Sequence, residues 1–151
     1  MRERFTETLK EAMRAGDKRK VSTLRLVQAA LKDKDIEARG AGKGQASDEE
    51  ILALLQKMVK QRQESIAIYE QAGRAELAQQ EREEAEIIQG FLPRPMDEAE
   101  VRAAIEAAVA ETGAASMKDM GRVVGALRAK YAGRMDFAKA SGLVKERLSK
   151  G

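Results

Sequence analysis

The chain has 151 residues, 43% of them hydrophobic but only 3% aromatic, with no Trp, no Cys and no His, and a formal net charge of +3. The missing Cys and His exclude thiolate nucleophiles, disulfides, imidazole acid–base chemistry, a Ser-His-Asp triad and Cys or His metal sites. What remains for a core is Leu, Ile, Val, Met and Ala, which with Glu, Lys, Arg and Gln are helix formers, so the composition predicts an all-α chain.

The first predicted helix covers about 2 to 15, with Phe5, Leu9, Ala12 and Met13 on one face. Gly16 ends it, because glycine accepts the left-handed conformation that closes a helix. Asp17 caps a second helix, about 18 to 38, striped by Val21, Leu24, Val27 and Leu31. The next segment, Gly40 to Ala46, reads as a flexible interhelical loop. It is no phosphate cradle, since Glu37 stands where the first glycine belongs and Gly44 where Ser or Thr belongs. Ser47 and Glu50 form a capping box that opens a long helix to about Ala72, burying Ile51, Leu55, Met58, the stem of Arg62, Ile66 and Tyr69. Gly73 breaks it, and a fourth helix, about 74 to 89, turns Leu77, Ala85 and Ile88 inward. Its acidic run Glu81, Glu83, Glu84, Glu86 reads as a solvated face, because bundle metal sites pair such Glu residues with His.

Both prolines fall at Pro93 and Pro95, where each removes a backbone donor and biases its predecessor towards extended structure. The reading is therefore two domains, an N-terminal helical bundle over 1–92 and a small three-helix tail domain over 93–151. Asp97 and Glu100 open the fifth helix, to about Glu111, and Thr112-Gly113 closes it. Ser116 caps a sixth, about 117 to 130, with Met120, Val123, Val124 and Leu127 inward. Gly133 to Asp136 is a turn, and Asp136 caps the seventh, about 137 to 149, burying Phe137, Ala140, Val144 and Leu148.

Charge is unevenly spread. Residues 1–92 are neutral, 93–116 carry −3, and 117–151 carry +6 from nine bases and three acids. The bases interleave with a regular apolar pattern, so they decorate folded helices. Such a face suits nucleic-acid phosphates, with an ordinary solvated face as the plain alternative. No aromatic ladder accompanies the bases, which favours backbone contacts to structured RNA over stacking on single strands. The candidate nucleic-acid-binding residues are Lys118, Arg122, Arg128, Lys130 and Arg134. Gly121 and Gly125 lie four apart on one helix face, and each costs about 1 kcal/mol relative to Ala. Small residues at this spacing permit close approach by another backbone, first of all helix five or seven, otherwise that of a ligand. With Gly133 and Asp136 they are the structural candidates of this region.

The run Met117-Lys118-Asp119-Met120-Gly121-Arg122-Val123-Val124-Gly125-Ala126-Leu127 resembles the "K-D-M-G-K-V-M-G" signature of the GatB/YqeY family. Gly133-Arg134-Met135-Asp136 is similar to its "G-R-A-D" turn, with Met135 enlarging one position, and Ser141 to Lys145 to its "V-S-x-L-V-K" helix. Upstream, Ala72 to Ala78, Glu86 to Pro93 (with Phe91 for Tyr) and Lys20 to Arg25 resemble "A-G-R-x-x-L-A", "E-x-x-x-L-x-x-Y-L-P" and "R-x-x-T-L-R". The resemblance is to the stand-alone members of the family. It implies a helical bundle followed by a tail domain related to the one with which tRNA-dependent amidotransferases hold tRNA. The family label is carbon–nitrogen ligase with glutamine as amido donor, but the amidating site lies in an amidotransferase body that has no counterpart here. The expectation is thus an accessory protein that is no catalyst alone, with no catalytic residue, cofactor or metal, whose partners are tRNA or structured RNA and the translation or amidotransferase machinery. The alternative is a helical protein–protein adaptor without RNA contact. No apolar run reaches ~20 residues, so no membrane partner is expected. The N-terminal Met1-Arg2-Glu3-Arg4-Phe5 lacks a signal peptide's character, and the expected location is cytoplasmic.

Overall fold

A computed structural model describes residues 1–149 and contains, among them, seven α-helices, one 3-10 turn and no strand. Lys150, one of the nine bases counted above, lies outside the described residues. The chain divides into two compact units, Met1–Leu92 and Pro93–Gly151.

The first unit comprises α1 (Arg2–Ala15), α2 (Lys18–Gly40), α3 (Asp48–Gln71) and α4 (Ala75–Gln89). Its boundaries follow local chemistry. Gly16 closes α1 at φ 70°, the Asp17 carboxylate accepts from the Lys20 N–H, and Ser47 and Glu50 complete their capping box. The core is built on Phe5, Leu24, Val27, Ile51, Leu55 and Ile88, and closed by Phe91, whose ring meets that of Phe5 edge-on with centroids 4.9 Å apart.

The 40–46 loop is anchored rather than free. Both Arg2 guanidinium Nη atoms donate to the Asp35 carboxylate at 2.8 Å, the same carboxylate accepts from the Ala46 N–H at 2.9 Å, and Arg2 also donates to the Ala46 carbonyl at 2.9 Å. The Arg2 hydrogen bonds, and then the Ala46 N–H, hold the Asp35 carboxyl down at about 2. Ala46 is buried in the core as a result.

Helix α4 departs from its sequence reading in two ways. Leu77, in its first turn, is 38% exposed, and Ala78 takes the buried place. Glu84, assigned above to a solvated face, is buried with its side chain 9% exposed. Glu84 lies one turn before Ile88 on the face that packs against α3, so the packing carries it inward, where Arg62 Nε stands 3.2 Å from its Oε2. Arg62 also donates through Nη1 to the Met58 carbonyl at 3.2 Å. Burial beside Glu84 pushes the Glu81 carboxyl up. On α1, Met13 is 54% exposed and so stands outside the core assigned to it.

The second unit comprises α5 (Glu98–Thr112), a 3-10 turn (Met117–Asp119), α6 (Met120–Tyr131) and α7 (Phe137–Ser149). Its core is aliphatic: Ile105, Val109, Val123, Leu127, Val144 and Leu148 are its larger members. The sixth helix begins in 3-10 form because the Asp119 carboxylate reaches back to the N–H groups of Ala115 (2.9 Å) and Ser116 (3.3 Å), tightening the first turn. Met135 enters the core at 2% exposure, so the residue that enlarges the turn is accommodated by packing.

Candidate nucleic-acid interface

Helix α6 is half core and half surface. Val123 and Leu127 are buried and Met120, Val124 and Ala126 pack against them, which leaves Gly121, Arg122, Gly125, Arg128 and Ala129 on the exposed side. Lys118, in the 3-10 turn leading into α6, is exposed as well. The expectation that helix five or seven closes on the two glycines does not hold. A Cβ built on Gly121 or Gly125 meets nothing within 4 Å. The apolar stripe has already turned the opposite face of α6 inward, and two glycines four residues apart must then share the outer one.

The five candidate cations are not brought together as one patch. Lys118, Arg122 and Arg128 flank the glycine strip. Arg122 donates to the Thr112 carbonyl at 3.1 Å and pairs with Asp119, which fixes its guanidinium over the start of α6. The Ala115 N–H, then Arg122, hold the Asp119 carboxyl at about 2. Arg128 lies over the Phe137 ring, 5.3 Å from its centroid. Lys130 lies about 200° around the helix from Arg128 and donates to both Glu111 carboxylate oxygens at 2.7 and 2.9 Å, which raises the Lys130 pKa. Arg134 is half-buried, donating through Nε to the Arg94 carbonyl at 3.0 Å with Glu100 at 3.9 Å.

The two remaining structural candidates build the turn that presents this helix end. Gly133 is buried at φ 81°, a left-handed conformation that a side chain would strain. The Asp136 carboxylate accepts from the Ala138 N–H at 2.9 Å and caps α7. The turn is tied down by the Met96 N–H, which donates to the Arg134 carbonyl at 3.0 Å.

The charge asymmetry of the sequence is partly absorbed within the unit. The acids of α5 meet bases from farther along the chain, Glu106 with Arg147 at 2.6 Å and Glu111 with Lys130. Lys118, Arg128, Lys139 and Lys145 are left without a carboxylate partner among the described residues. The sequence marks bases and glycines alike but not which bases α5 occupies, because those pairs join residues 19 and 41 positions apart.

Among the described residues no group of three or more acidic side chains is placed to hold a metal ion, and no helix is long and apolar enough to cross a membrane. In comparisons with known proteins, residues 2–148 match the family described as Yqey-like protein. A curated relative is "Altered inheritance of mitochondria protein 41, mitochondrial" from Pyrenophora tritici-repentis (strain Pt-1C-BFP), 31% identical over 88 residues. That alignment covers 58% of this chain and 46% of the relative, so the chain spans less than half of the relative's length.

Proposed function

We propose, from the premise that the chain belongs to the YqeY-like protein family, that its 93–151 unit binds tRNA or similarly structured RNA through the exposed face of α6. One observation carries this reading. Two glycines stand in the middle of an exposed helix strip where an added Cβ would meet nothing within 4 Å among the described residues, between Lys118, Arg122 and Arg128. Each glycine weakens an exposed helix by about 1 kcal/mol relative to Ala. A partner whose sugar–phosphate backbone lies against the bare helix backbone supplies a reason for both. The flanking cations displace the counterions of that partner. Interactions of this type position an RNA without reading its sequence.

The protein on this reading is an accessory factor of translation or of the amidotransferase machinery, acts in the cytoplasm, and does no chemistry alone. Its composition supports the last point, offering neither thiolate nor imidazole. Lys130 and Arg134 have a supporting part, holding α6 and the following turn to α5 and to the Arg94 segment.

The test is a tRNA titration at several salt concentrations. Lys118→Gln, Arg122→Gln and Arg128→Gln together reduce the slope of log affinity against log salt, by about 0.7–0.9 for each phosphate no longer neutralised, for any tRNA tried. Gly121→Leu with Gly125→Leu weakens binding while leaving the melting temperature no lower than the wild type's. A wild-type protein that fails to bind tRNA at low salt sinks the proposal and favours the adaptor.

A further inference from the structure

A second surface lies wholly within the 1–92 unit and is independent of the α6 strip. The end of α1, the first turns of α2 and the middle of α4 enclose an open groove of about 790 Å³. Met13, Val21 and Leu26 supply its apolar lining. Met13 is 54% and Leu26 47% exposed, so two of the large aliphatic side chains that this unit leaves in water stand in the same groove. On α2 the lining residues recur at Lys18, Ser22, Arg25 and Leu26, a spacing of three and four, so the groove runs along the helix as a trough.

The lining of the trough is net positive. Its acid, Glu84, is held by Arg62 at 3.2 Å, and its Arg19 is held by Glu83 at 3.1 Å. Asp17, beside Lys18 in the chain, keeps its charge but is not part of the lining, its carboxylate accepting from the Lys20 N–H at the α2 N-terminus. Lys18 and Arg25 remain, both positive and both without a carboxylate partner among the described residues. Aliphatic walls give nothing to a phosphate backbone, and the groove holds no aromatic ring on which a base could stack.

We propose that this groove docks an acidic amphipathic helix of a partner protein, with aliphatic side chains on Met13, Val21 and Leu26 and carboxylates opposite Lys18 and Arg25. This is the helix-in-groove mode, read by anchors at i, i+3, i+4 and i+7 on the incoming helix.

The probe is a dye-labelled designed helix with Leu at those positions and Glu elsewhere, titrated into the full-length protein and followed by fluorescence anisotropy. A second peptide of the same pattern carries Lys in place of Glu, and a third is a scramble of the first. Saturable binding of the Leu/Glu helix is expected, at least tenfold tighter than either control. Lys18→Glu with Arg25→Glu should reverse the preference between the Glu and Lys peptides, and Leu26→Asp should weaken binding at least tenfold. These side chains are at the surface, and helix content by circular dichroism confirms that each variant is folded. With methyl-labelled methionine, the Met13 resonance should shift on peptide addition and the Met117 resonance should not. Equal binding of the scramble, no saturable binding of the Leu/Glu helix, or unchanged affinity in both variants overturns the proposal. So does a Met13 shift produced by tRNA and not by the peptide, which would make the groove a nucleic-acid surface. Failure of tRNA binding at α6 leaves this experiment unaffected, because no residue is shared.

Discussion

The two units differ in whether a charge pair enters the helix packing. In the 1–92 unit two ion pairs are structural: Arg2 and Asp35 clamp the start of α1 to α2 and the 40–46 loop, and Arg62 and Glu84 sit inside the helix packing, while others, such as Arg19 with Glu83, lie at the surface. In the 93–151 unit the pairs lie towards the surface, two of them between α5 and the helices that follow it, and several cations are left over. The same charged residue types therefore enter the packing at two places in the first unit and stay at the surface in the second. Buried pairs are costly to break because one partner is stranded, whereas exposed pairs contribute about 0–1 kcal/mol.

The broadest test of this contrast separates the halves. Each unit has its own core, so fragments 1–92 and 93–151 should each be helical by circular dichroism, and limited proteolysis should cut between Gly90 and Met96. An unfolded 1–92 fragment would end the comparison, because its ion pairs would then depend on the rest of the chain.

Next in size is Arg62→Met. It should destabilise the first unit by about 3 kcal/mol, read from denaturant midpoints, because Glu84 is left buried without its cation. Adding Glu84→Gln should recover much of the loss. By contrast, Lys130→Met in the second unit should cost under about 1 kcal/mol, since both partners of that pair are 53% exposed. Equal losses would erase the distinction between the units.

A smaller effect, of opposite sign, is expected from Gly125→Ala. With nothing within 4 Å of the new methyl group, the change should stabilise the second unit by about 1 kcal/mol. Reduced stability instead would show that another helix does close on this glycine.

The finest test is acid titration. Asp35 in the first unit, and Glu100 and Asp119 in the second, are each held at about 2, below their ordinary 3.8 or 4.5. A depressed carboxyl contributes stability that is fully present above its ordinary pKa and is lost as pH falls towards the folded value. Melting temperature should therefore drop between about pH 4.5 and 2. Asp35→Asn should flatten the drop for fragment 1–92, and Glu100→Gln for fragment 93–151. A drop unchanged by either substitution would move the acid sensitivity to other groups.

The sequence alone determined the seven helices and nearly all their ends, because those depend on local chemistry: the Ser47–Glu50 and Asp97–Glu100 boxes, the left-handed Gly16 and Gly113, and the Asp17 and Asp136 caps. It also marked the glycines and bases of α6. Only the tertiary structure decided what those residues face. Period 3.6 places Glu84 one turn before Ile88, but burial of that carboxylate depends on Arg62 arriving from α3, 22 positions earlier in the chain. Likewise Gly121 and Gly125 share a face in any helix, yet whether that face meets α5, α7 or water is settled by the competing stripe of Val123 and Leu127, which took the core. Helical spacing is a property of the segment, whereas its neighbours are a property of the fold, and the environment of a charge or a glycine belongs to the second.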